Sequence, residues 1–232
     1  MAKIVVVGSS NTDMVVMTPK IPAPGETVIG GDFMMAGGGK GANQAVAAAR
    51  LDSDVTFIAR VGVDMFGEQA IENLKRDGIQ TDYISRDNET PSGVALIFVD
   101  KNAENIIAVA PGANDRLSSE HILQAQEAIE VADVVIMQLE IPIKTVEVAA
   151  RIAHESGTKV ILNPAPAQDL PLSLLKMVDV LTPNETEAAL LTGLPSTDGI
   201  RPEEAGKKLL DLGVGAVVMT LGAKGALIVT KD

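Results

Sequence analysis

Six short runs of apolar and often β-branched residues recur along the chain, and they constrain its fold more than any other feature. Nearly continuous apolar runs of this length are typical of strands that are buried on both faces, as in a parallel sheet. The runs are KIVVVG (3–8), DVTFIA (54–59), DVVIMQL (133–139), KVILN (159–163), VDVLT (178–182) and GAVVMTL (215–221). They predict one sheet at the centre of the molecule.

Segments with helical periodicity separate these runs. In 40–50, the apolar residues Ala42, Ala45, Val46 and Ala49 fall at positions i, i+3, i+4 and i+7, which lie on one face of a helix. Similar apolar faces occur in 67–77, 118–130, 144–156 and 202–212. Alternating strands and helices predict an α/β fold with a Rossmann-like, mostly parallel sheet flanked by helices.

Two segments interrupt this alternation. Residues 14–36 contain prolines and glycines without a helical period, and residues 90–110 contain two apolar runs around KNAE, which indicates a hairpin. We expect both to form a small β-sheet lid over the strand ends; decorative surface hairpins are the alternative. The length fits one α/β domain over 1–232, with lid insertions at about 14–36 and 90–110.

Composition excludes several classes of partner and cofactor. The net charge of −12 argues against binding nucleic acid or an anionic membrane, and the aromatic content of 2% without Trp argues against base stacking. The absence of Cys excludes disulfides and thiolate metal sites, and His121 and His154 lack metal-ligand spacing. The first apolar run is too short for a signal peptide or a membrane span, so we expect a cytoplasmic protein.

Polar residues follow several of the apolar runs, at the carboxyl ends of strands where ligands usually bind in α/β sheets. Asn11 and Asp13 follow the first run, and Glu140 follows the third. The later runs are followed by Asn184, Glu185, Glu187, Gly222, Lys224 and Gly225. Their recurrence at equivalent strand ends predicts a ligand site along this edge of the sheet.

The stretch MAGGGKGANQA (35–45) places four glycines around Lys40 at the start of a predicted helix. Glycine lets the backbone approach a ligand closely, and a helix N-terminus offers unpaired N–H donors. Because Lys40 is followed by Gly41 rather than Ser or Thr, the stretch is not a P-loop, and VGSSNT lacks the glycines of a dinucleotide-binding turn. The sequence therefore supports neither a P-loop ATPase nor a nicotinamide enzyme.

Five motifs resemble, in order and spacing, those of the ribokinase branch of the phosphofructokinase-B family of sugar kinases. They are GSSNTDMV, AGGGKGANQAVAAARLDSDVTFIARVGVDMFGE (36–68), LNPAPA, TPNETEA and TLGAKGA. The resemblance covers essentially the whole chain and departs from the family's pattern at ARLDSD, where a Leu-Gly step is usual. It implies a ribokinase-like fold and ATP-dependent phosphorylation of D-ribose at the 5-hydroxyl.

The resemblance implies a sugar site and a nucleotide site. Sugar hydroxyls would be bound by Asn11, Asp13, Gly38, Gly39, Lys40, Asn43 and Glu140, with Ala95 and Ile97 of the lid covering the sugar. ATP would be bound by Asn184, Thr220, Gly222, Lys224 and Gly225. Glu187 would position Mg²⁺ through water, and its alternative role is a helix capping box with Asn184.

In this family the catalytic base is an Asp in a Gly-Ala-Gly-Asp segment, which these 232 residues do not contain. We therefore assign no catalytic residue here, expect the base to lie beyond Asp232, and expect these residues to be catalytically incomplete. The family's monovalent cation, K⁺, would have its site mostly in the same absent portion.

Two alternatives stay open, and an oligomeric state is implied. The first alternative is a kinase of the same family for another sugar, a sugar acid or a nucleoside; the second is a truncated sugar-binding protein without catalysis. The resemblance also implies a homodimer through the lid, whose apolar residues Ile97, Val99 and Ile107 would be buried by pairing two lids.

Overall fold

The computed structural model describes residues 1–194 and 201–231. Asp232, the last residue of the expected domain, lies outside the described residues, as do residues 195–200. The strands are β1 (Lys3–Val7), β2 (Asn11–Met17), β3 (Phe33–Gly38), β4 (Asp54–Gly62), β5 (Ile84–Asp87), β6 (Gly93–Val99), β7 (Asn105–Ala110), β8 (Val134–Met137), β9 (Lys159–Leu162), β10 (Val180–Leu181), β11 (Ala216–Thr220) and β12 (Ala226–Val229). The α-helices are α1 (Lys40–Arg50), α2 (Met65–Arg76), α3 (Ser119–Gln124), α4 (Gln126–Glu130), α5 (Ile143–Ser156), α6 (Leu172–Leu175), α7 (Glu185–Thr192) and α8 (Pro202–Asp211), and short 3₁₀-helices span Gly112–Arg116 and Gly222–Lys224.

The central sheet contains eight strands in the part of the chain that the structure describes. Their order is β12-β11-β10-β9-β8-β1-β4-β5. Neighbouring strands are parallel except for β11 and β12, which are antiparallel. All six apolar runs of the sequence contain a strand of this sheet, so the predicted α/β fold is confirmed.

Four of the five predicted helices correspond to α1, α2, α5 and α8, with ends within one or two residues of the prediction. The prediction of one helix over 118–130 was wrong, because the segment folds as α3 and α4. At the break, the N–H of Ala125 bonds to the carbonyl of Ile122, three residues back, and the Ala125 side chain is fully buried. This 3₁₀-type bond ends α3, although the apolar period continues through it.

A second sheet has the order β3-β2-β6-β7 among the described strands. β2 pairs antiparallel with β3 and parallel with β6, and β7 pairs antiparallel with β6. This sheet, which we call the lid sheet, begins earlier than the insertion expected at about 14–36, because Asn11 and Asp13 already pair with Gly38 and Ala36. The polar residues after β1 are therefore part of its first strand.

Side chains alternate along β1 and pack into a separate apolar cluster on each face of the central sheet. Val6 packs with Ala45 of α1 and Phe57 of β4 on one face. Val5 and Val7 belong to the cluster on the other face, which includes buried residues of α3, α5 and α8. Both faces of the central strands are therefore covered, as their apolar runs predicted.

The start of α1 lies unusually close to the end of β1. A Cβ on Gly41 would lie 2.6 Å from the backbone nitrogen of Ser9 and 2.7 Å from the Cα of Gly8. A Cβ on Gly8 would in turn lie 2.8 Å from the Cα of Gly41. Two glycines therefore let the backbones of the helix and the strand touch, which places the first turn of α1 beside the loop after β1.

We predict that Gly41→Ala lowers the free energy of unfolding by about 1–3 kcal/mol, because the added methyl group would overlap backbone atoms that side-chain rotation cannot clear. Gly37→Ala is the matched control, since a Cβ at Gly37 would have no described atom within 4 Å apart from its chain neighbours. Its expected effect is within about 0.5 kcal/mol. Urea denaturation followed by circular dichroism measures both, and equal effects of the two substitutions would contradict the close helix–strand contact.

Candidate functional site

The loop between β1 and β2 carries the first polar groups of the site. β1 ends at Val7, and the residues that follow, Ser9, Ser10 and Asn11, are all buried. Asp13 lies two residues after Asn11 in β2, so the two side chains point to the same face of the lid sheet. Both predicted residues therefore lie where the central sheet and the lid sheet meet.

Glu140 connects this loop to the start of α1. Its Oε2 accepts hydrogen bonds from the Ser9 hydroxyl at 2.5 Å and from the Lys40 backbone N–H at 2.9 Å. Gly39, the residue before the helix, has no side chain to cap α1, so the Glu140 carboxylate satisfies an N–H of its first turn. The negative charge also lies at the positive end of the helix dipole.

Gly38 and Gly39 bring the backbone close to the two polar residues of β2. A Cβ on Gly38 would lie 2.1 Å from Oδ1 of Asp13, so glycine leaves the space that the carboxylate occupies. Gly39 has a φ of +90°, and a Cβ there would lie 2.8 Å from the backbone nitrogen of Asn11. Glycine is therefore required at position 38 by the close approach of Asp13, and at position 39 by its positive φ and the close approach of Asn11.

The carboxyl group of Asp13 has a perturbed pKa. Burial raises the pKa of Asp13, and the negative charge of Glu140 raises it further. Two carboxylates that repel each other are typical of a site that binds hydrogen-bond donors or a cation. Asp13 lies against Gly38, and Glu140 accepts from the N–H of Lys40 two residues later, so the two carboxylates lie beside the same turn.

In the described part of the chain, Asn11 lies in the walls of three cavities, two of which also contain other predicted site residues. The first has a volume of about 400 Å³, and its wall includes Gly38 and the exposed side chain of Asn43. The second has a volume of about 530 Å³, and its wall includes Glu140. The open space beside Asn11 is therefore bounded by residues from β2, α1 and the end of β8.

The predicted lid residues lie on the same face of the lid sheet as Asp13. Ala95 is the cross-strand neighbour of Asp13 and is buried, while Ile97 pairs with Val15, one step farther out. The structure thus brings together Asn11, Asp13, Gly38, Gly39, Lys40, Asn43, Ala95 and Glu140, and it places Ile97 farther from the others.

Sequence reasoning missed two polar residues of this site, Ser9 and Asn114. The Ser9 hydroxyl donates to Glu140 and accepts from the N–H of Gly41 at 3.3 Å. Asn114 lies in the 3₁₀-helix after β7, is 1% exposed, and donates from Nδ2 to Oδ1 of Asn11 at 2.8 Å. The turn PGAN after the hairpin was the available signal, but nothing local connects it to a residue 103 positions away.

The residues predicted for the nucleotide lie at the ends of β10 and β11. Asn184 and Thr220 form a β-bridge, and the Thr220 N–H donates to the carbonyl of Pro183 at 2.9 Å. The following loop is exposed and contains Lys224 in its 3₁₀-helix. Its glycines, Gly222 and Gly225, have φ values of +56° and +91°. The structure therefore brings these five residues to one part of the sheet edge.

Asn184 and Glu187 form the capping box predicted as the alternative to a metal-binding role. Oδ1 of Asn184 accepts from the Glu187 N–H at 2.8 Å, and the Glu187 carboxylate accepts from the backbone N–H and Nδ2 of Asn184 at 2.9 and 3.1 Å. Glu187 is 7% exposed. Within residues 1–194 and 201–231, no group of three His, Cys, Asp or Glu side chains is arranged to hold a metal ion.

Comparison with known proteins identifies the family. The sequence profile described as "pfkB family carbohydrate kinase" matches residues 1–232. The chain belongs to this family. Among pfkB relatives, the ribokinase of Haemophilus influenzae is 45% identical over 226 residues, which are 97% of this chain and 74% of the relative. The deoxyribokinase of Salmonella typhimurium is 41% identical over 230 residues, which are 99% of this chain and 75% of the relative.

Solved structures of pfkB-type enzymes share the fold. The structure of Arabidopsis thaliana ribokinase complexed with ribose and ATP matches with a TM-score of 0.88 and 33% identity, over 100% of this chain and 76% of that chain. The ribokinase of Thermotoga maritima matches with a TM-score of 0.89 and 36% identity, over 100% and 76%. The expected family and enzyme class, a carbohydrate kinase, are confirmed. No helix in the described part of the chain is long and apolar enough to cross a membrane.

We predict that Asp13→Asn stabilises this fold. A raised carboxyl pKa means that the folded state favours the protonated form of Asp13. The ionised side chain therefore destabilises the protein at pH values above the pKa of this carboxyl group in the unfolded chain. The destabilisation disappears as the pH falls below that pKa. The melting temperature should therefore rise by about 1–3 °C near pH 7.5, with the difference vanishing towards about pH 4.

Thermal unfolding followed by circular dichroism across this pH range measures the difference. Asp82→Asn is the control, because Asp82 is an exposed carboxylate whose substitution should change the melting temperature by less than about 1 °C. A melting temperature of Asp13→Asn below that of the unchanged protein at neutral pH would contradict the repulsion between Asp13 and Glu140.

Proposed function

We propose that the chain phosphorylates D-ribose at the 5-hydroxyl with ATP as the phosphoryl donor. The observation that carries this proposal is the meeting of Asn11, Asp13 and Glu140 beside the first turn of α1. The names of the relatives support the substrates: the Haemophilus influenzae protein is a ribokinase, and the Arabidopsis thaliana ribokinase was solved with ribose and ATP.

The proposed sugar site offers both kinds of hydrogen-bonding group that a polyol needs. The carboxylates of Asp13 and Glu140 accept hydrogen bonds from hydroxyl groups, while the amide of Asn11 donates hydrogen bonds to hydroxyl oxygens. Because the two carboxylates repel each other, hydroxyl donors bound between them stabilise both charges. A buried group left without a partner costs about 1–3 kcal/mol, so the arrangement of hydroxyls selects the sugar.

We assign the nucleotide to the ends of β10 and β11. Lys224 supplies a positive charge in an exposed loop. Gly222 and Gly225, which have positive φ values and no side chains, lie on either side of it. Glu187 fits Mg²⁺ only through water, because Asn184 already donates to both of its carboxylate oxygens. When bound with ATP, Mg²⁺ neutralises phosphate charge.

Phosphoryl transfer also needs a group that accepts the proton of the attacking hydroxyl. The 232 residues contain no Gly-Ala-Gly-Asp segment, and Asp13 belongs to the groups that we assign to sugar binding. We therefore propose that these residues bind and align ribose and ATP, and we assign no general base among them.

A homodimer through the lid sheet is part of the proposal. Ile107 and Val109 of β7 are 53% and 49% exposed, and they pair with Ile97 and Ala95 on the face that carries Asp13. Apolar residues exposed next to each other on a sheet are typical of an interaction surface. Packing two lid sheets against each other would bury Ile107, Val109 and the half-buried Ile97.

A second candidate substrate is 2-deoxyribose, which lacks one hydroxyl of ribose. It is favoured by the deoxyribokinase of Salmonella typhimurium, which is 41% identical to this chain over 230 residues. The two sugars differ by a single hydrogen-bonding group, so their relative affinities report which hydroxyl pattern the site accepts.

Isothermal titration calorimetry with ribose, 2-deoxyribose and ATP tests the proposal. We expect ribose to bind more tightly than 2-deoxyribose. We expect Glu140→Gln to weaken ribose binding about 10–100-fold, which is the range for losing a hydrogen bond to a charged group. Glu155→Gln, the same charge change on an exposed residue of α5, should leave ribose affinity unchanged. Tighter binding of 2-deoxyribose would reassign the substrate, and ribose binding without any ATP binding would indicate a sugar-binding protein.

Glu187→Gln separates the capping role of Glu187 from its proposed role near Mg²⁺. Glutamine keeps the size and one acceptor oxygen but removes the charge, so we expect ATP affinity to fall about tenfold in Mg²⁺ and to stay unchanged in EDTA. Glu185→Gln in the same helical turn is the matched control. Equal losses for the two variants, or a loss that persists in EDTA, would contradict the Mg²⁺ assignment.

A further inference from the structure

Asn114 is a buried amide whose hydrogen bonds are made mostly to the backbone. Its Oδ1 accepts from the Ser10 N–H at 2.8 Å. Its Nδ2 donates to the carbonyl oxygens of Pro111 at 2.9 Å and Ser10 at 3.2 Å, and to Oδ1 of Asn11 at 2.8 Å. The residue is 1% exposed and does not itself belong to the groups that we assign to ribose.

The backbone partners fix which end of the Asn114 amide faces which way. A backbone N–H can only donate and a carbonyl oxygen can only accept, so Oδ1 must face Ser10 N–H and Nδ2 must face the two carbonyls. The Asn11 atom 2.8 Å from Nδ2 must then be the acceptor Oδ1, because the NH₂ group of Asn11 could only bring a second donor against the Nδ2 hydrogens. The NH₂ group of Asn11 is consequently directed away from Asn114, and it has no hydrogen-bond partner among the described residues.

Gly93 provides the space in which this contact forms. Gly93 is the cross-strand neighbour of Asn11 in the lid sheet. A Cβ at Gly93 would lie 2.2 Å from Oδ1 of Asn11 and 2.3 Å from Nδ2 of Asn114, so any side chain there would separate the two amides. The Asn11–Asn114 bond therefore depends on Gly93, the first residue of β6 in the lid sheet.

We propose that Asn114 is a positioning residue that sets the polarity of Asn11, so that the sugar site presents an N–H donor beside the acceptor carboxylate of Asp13. This inference rests on the proposed ribose site and adds a specificity role within it. A donor and an acceptor on the same face of β2 match a hydroxyl-bearing carbon chain, in which one hydroxyl oxygen accepts from Asn11 and a neighbouring hydroxyl donates to Asp13.

A double-mutant cycle for ribose binding tests whether Asn114 acts through Asn11. We expect Asn11→Ala and Asn114→Ala each to weaken ribose binding about tenfold, and the double variant to bind no more weakly than Asn11→Ala alone. The affinity for ATP should not change, and Asn88→Ala on an exposed loop should leave the affinity for ribose unchanged. Additive losses, or a parallel loss of ATP affinity, would show a general structural role and overturn the proposal.

A measurement on the unaltered protein keeps the inference testable if Asn114→Ala fails to fold. In ¹⁵N-labelled protein without ligand, the Asn11 side-chain amide protons should exchange with solvent much faster than those of Asn114. Protection of both amides would mean that the Asn11 NH₂ faces Asn114, which overturns the proposal. Addition of ribose should then shift the Asn11 side-chain resonance. Fast exchange of the Asn11 amide without any ribose binding would contradict the proposed function but agree with the assigned orientation of Asn11.

Discussion

The bond between the Glu140 carboxylate and the first N–H of α1 is the interaction on which the site depends. Gly39 cannot cap the helix with a side chain, so the carboxylate from the end of β8 performs that role and also accepts from Ser9 after β1. One charged group thereby joins two strands of the central sheet to the glycine-rich turn. The positions of Lys40 and of the neighbouring glycines relative to Asn11 and Asp13 follow from this contact.

The same groups that shape the site also work against the stability of the fold. Asp13 is held near Glu140 with a raised pKa, and the NH₂ group of Asn11 has no acceptor in the part of the chain that the structure describes. Such arrangements are typical of binding sites, in which a ligand supplies the missing partners. Backbone groups of fixed polarity determine the direction of the Asn114 amide and, through it, that of the Asn11 amide. The NH₂ group of Asn11 therefore cannot bond to Asn114.

The sequence predicted those features that depend on local patterns. Buried strands and most helices could be recognised because hydrophobic periodicity is a property of neighbouring residues. The break at Ala125 could not, since the apolar period runs through it, and neither could the start of β2 at Asn11, which is defined by pairing with Gly38 and Gly93. Asn114 was missed because its partner Asn11 is distant in sequence, whereas the assigned ligand roles of the site residues remain predictions.

The central claim is that groups from β2, α1 and the end of β8 form one pocket for a pentose. The most direct measurement is a crystal structure of the protein grown with ribose. We predict that the sugar contacts Asn11, Asp13 and Glu140, and that Glu140 still accepts from the Lys40 N–H. A pentose bound away from these three side chains, or a Glu140 carboxylate turned away from α1, would contradict the claim.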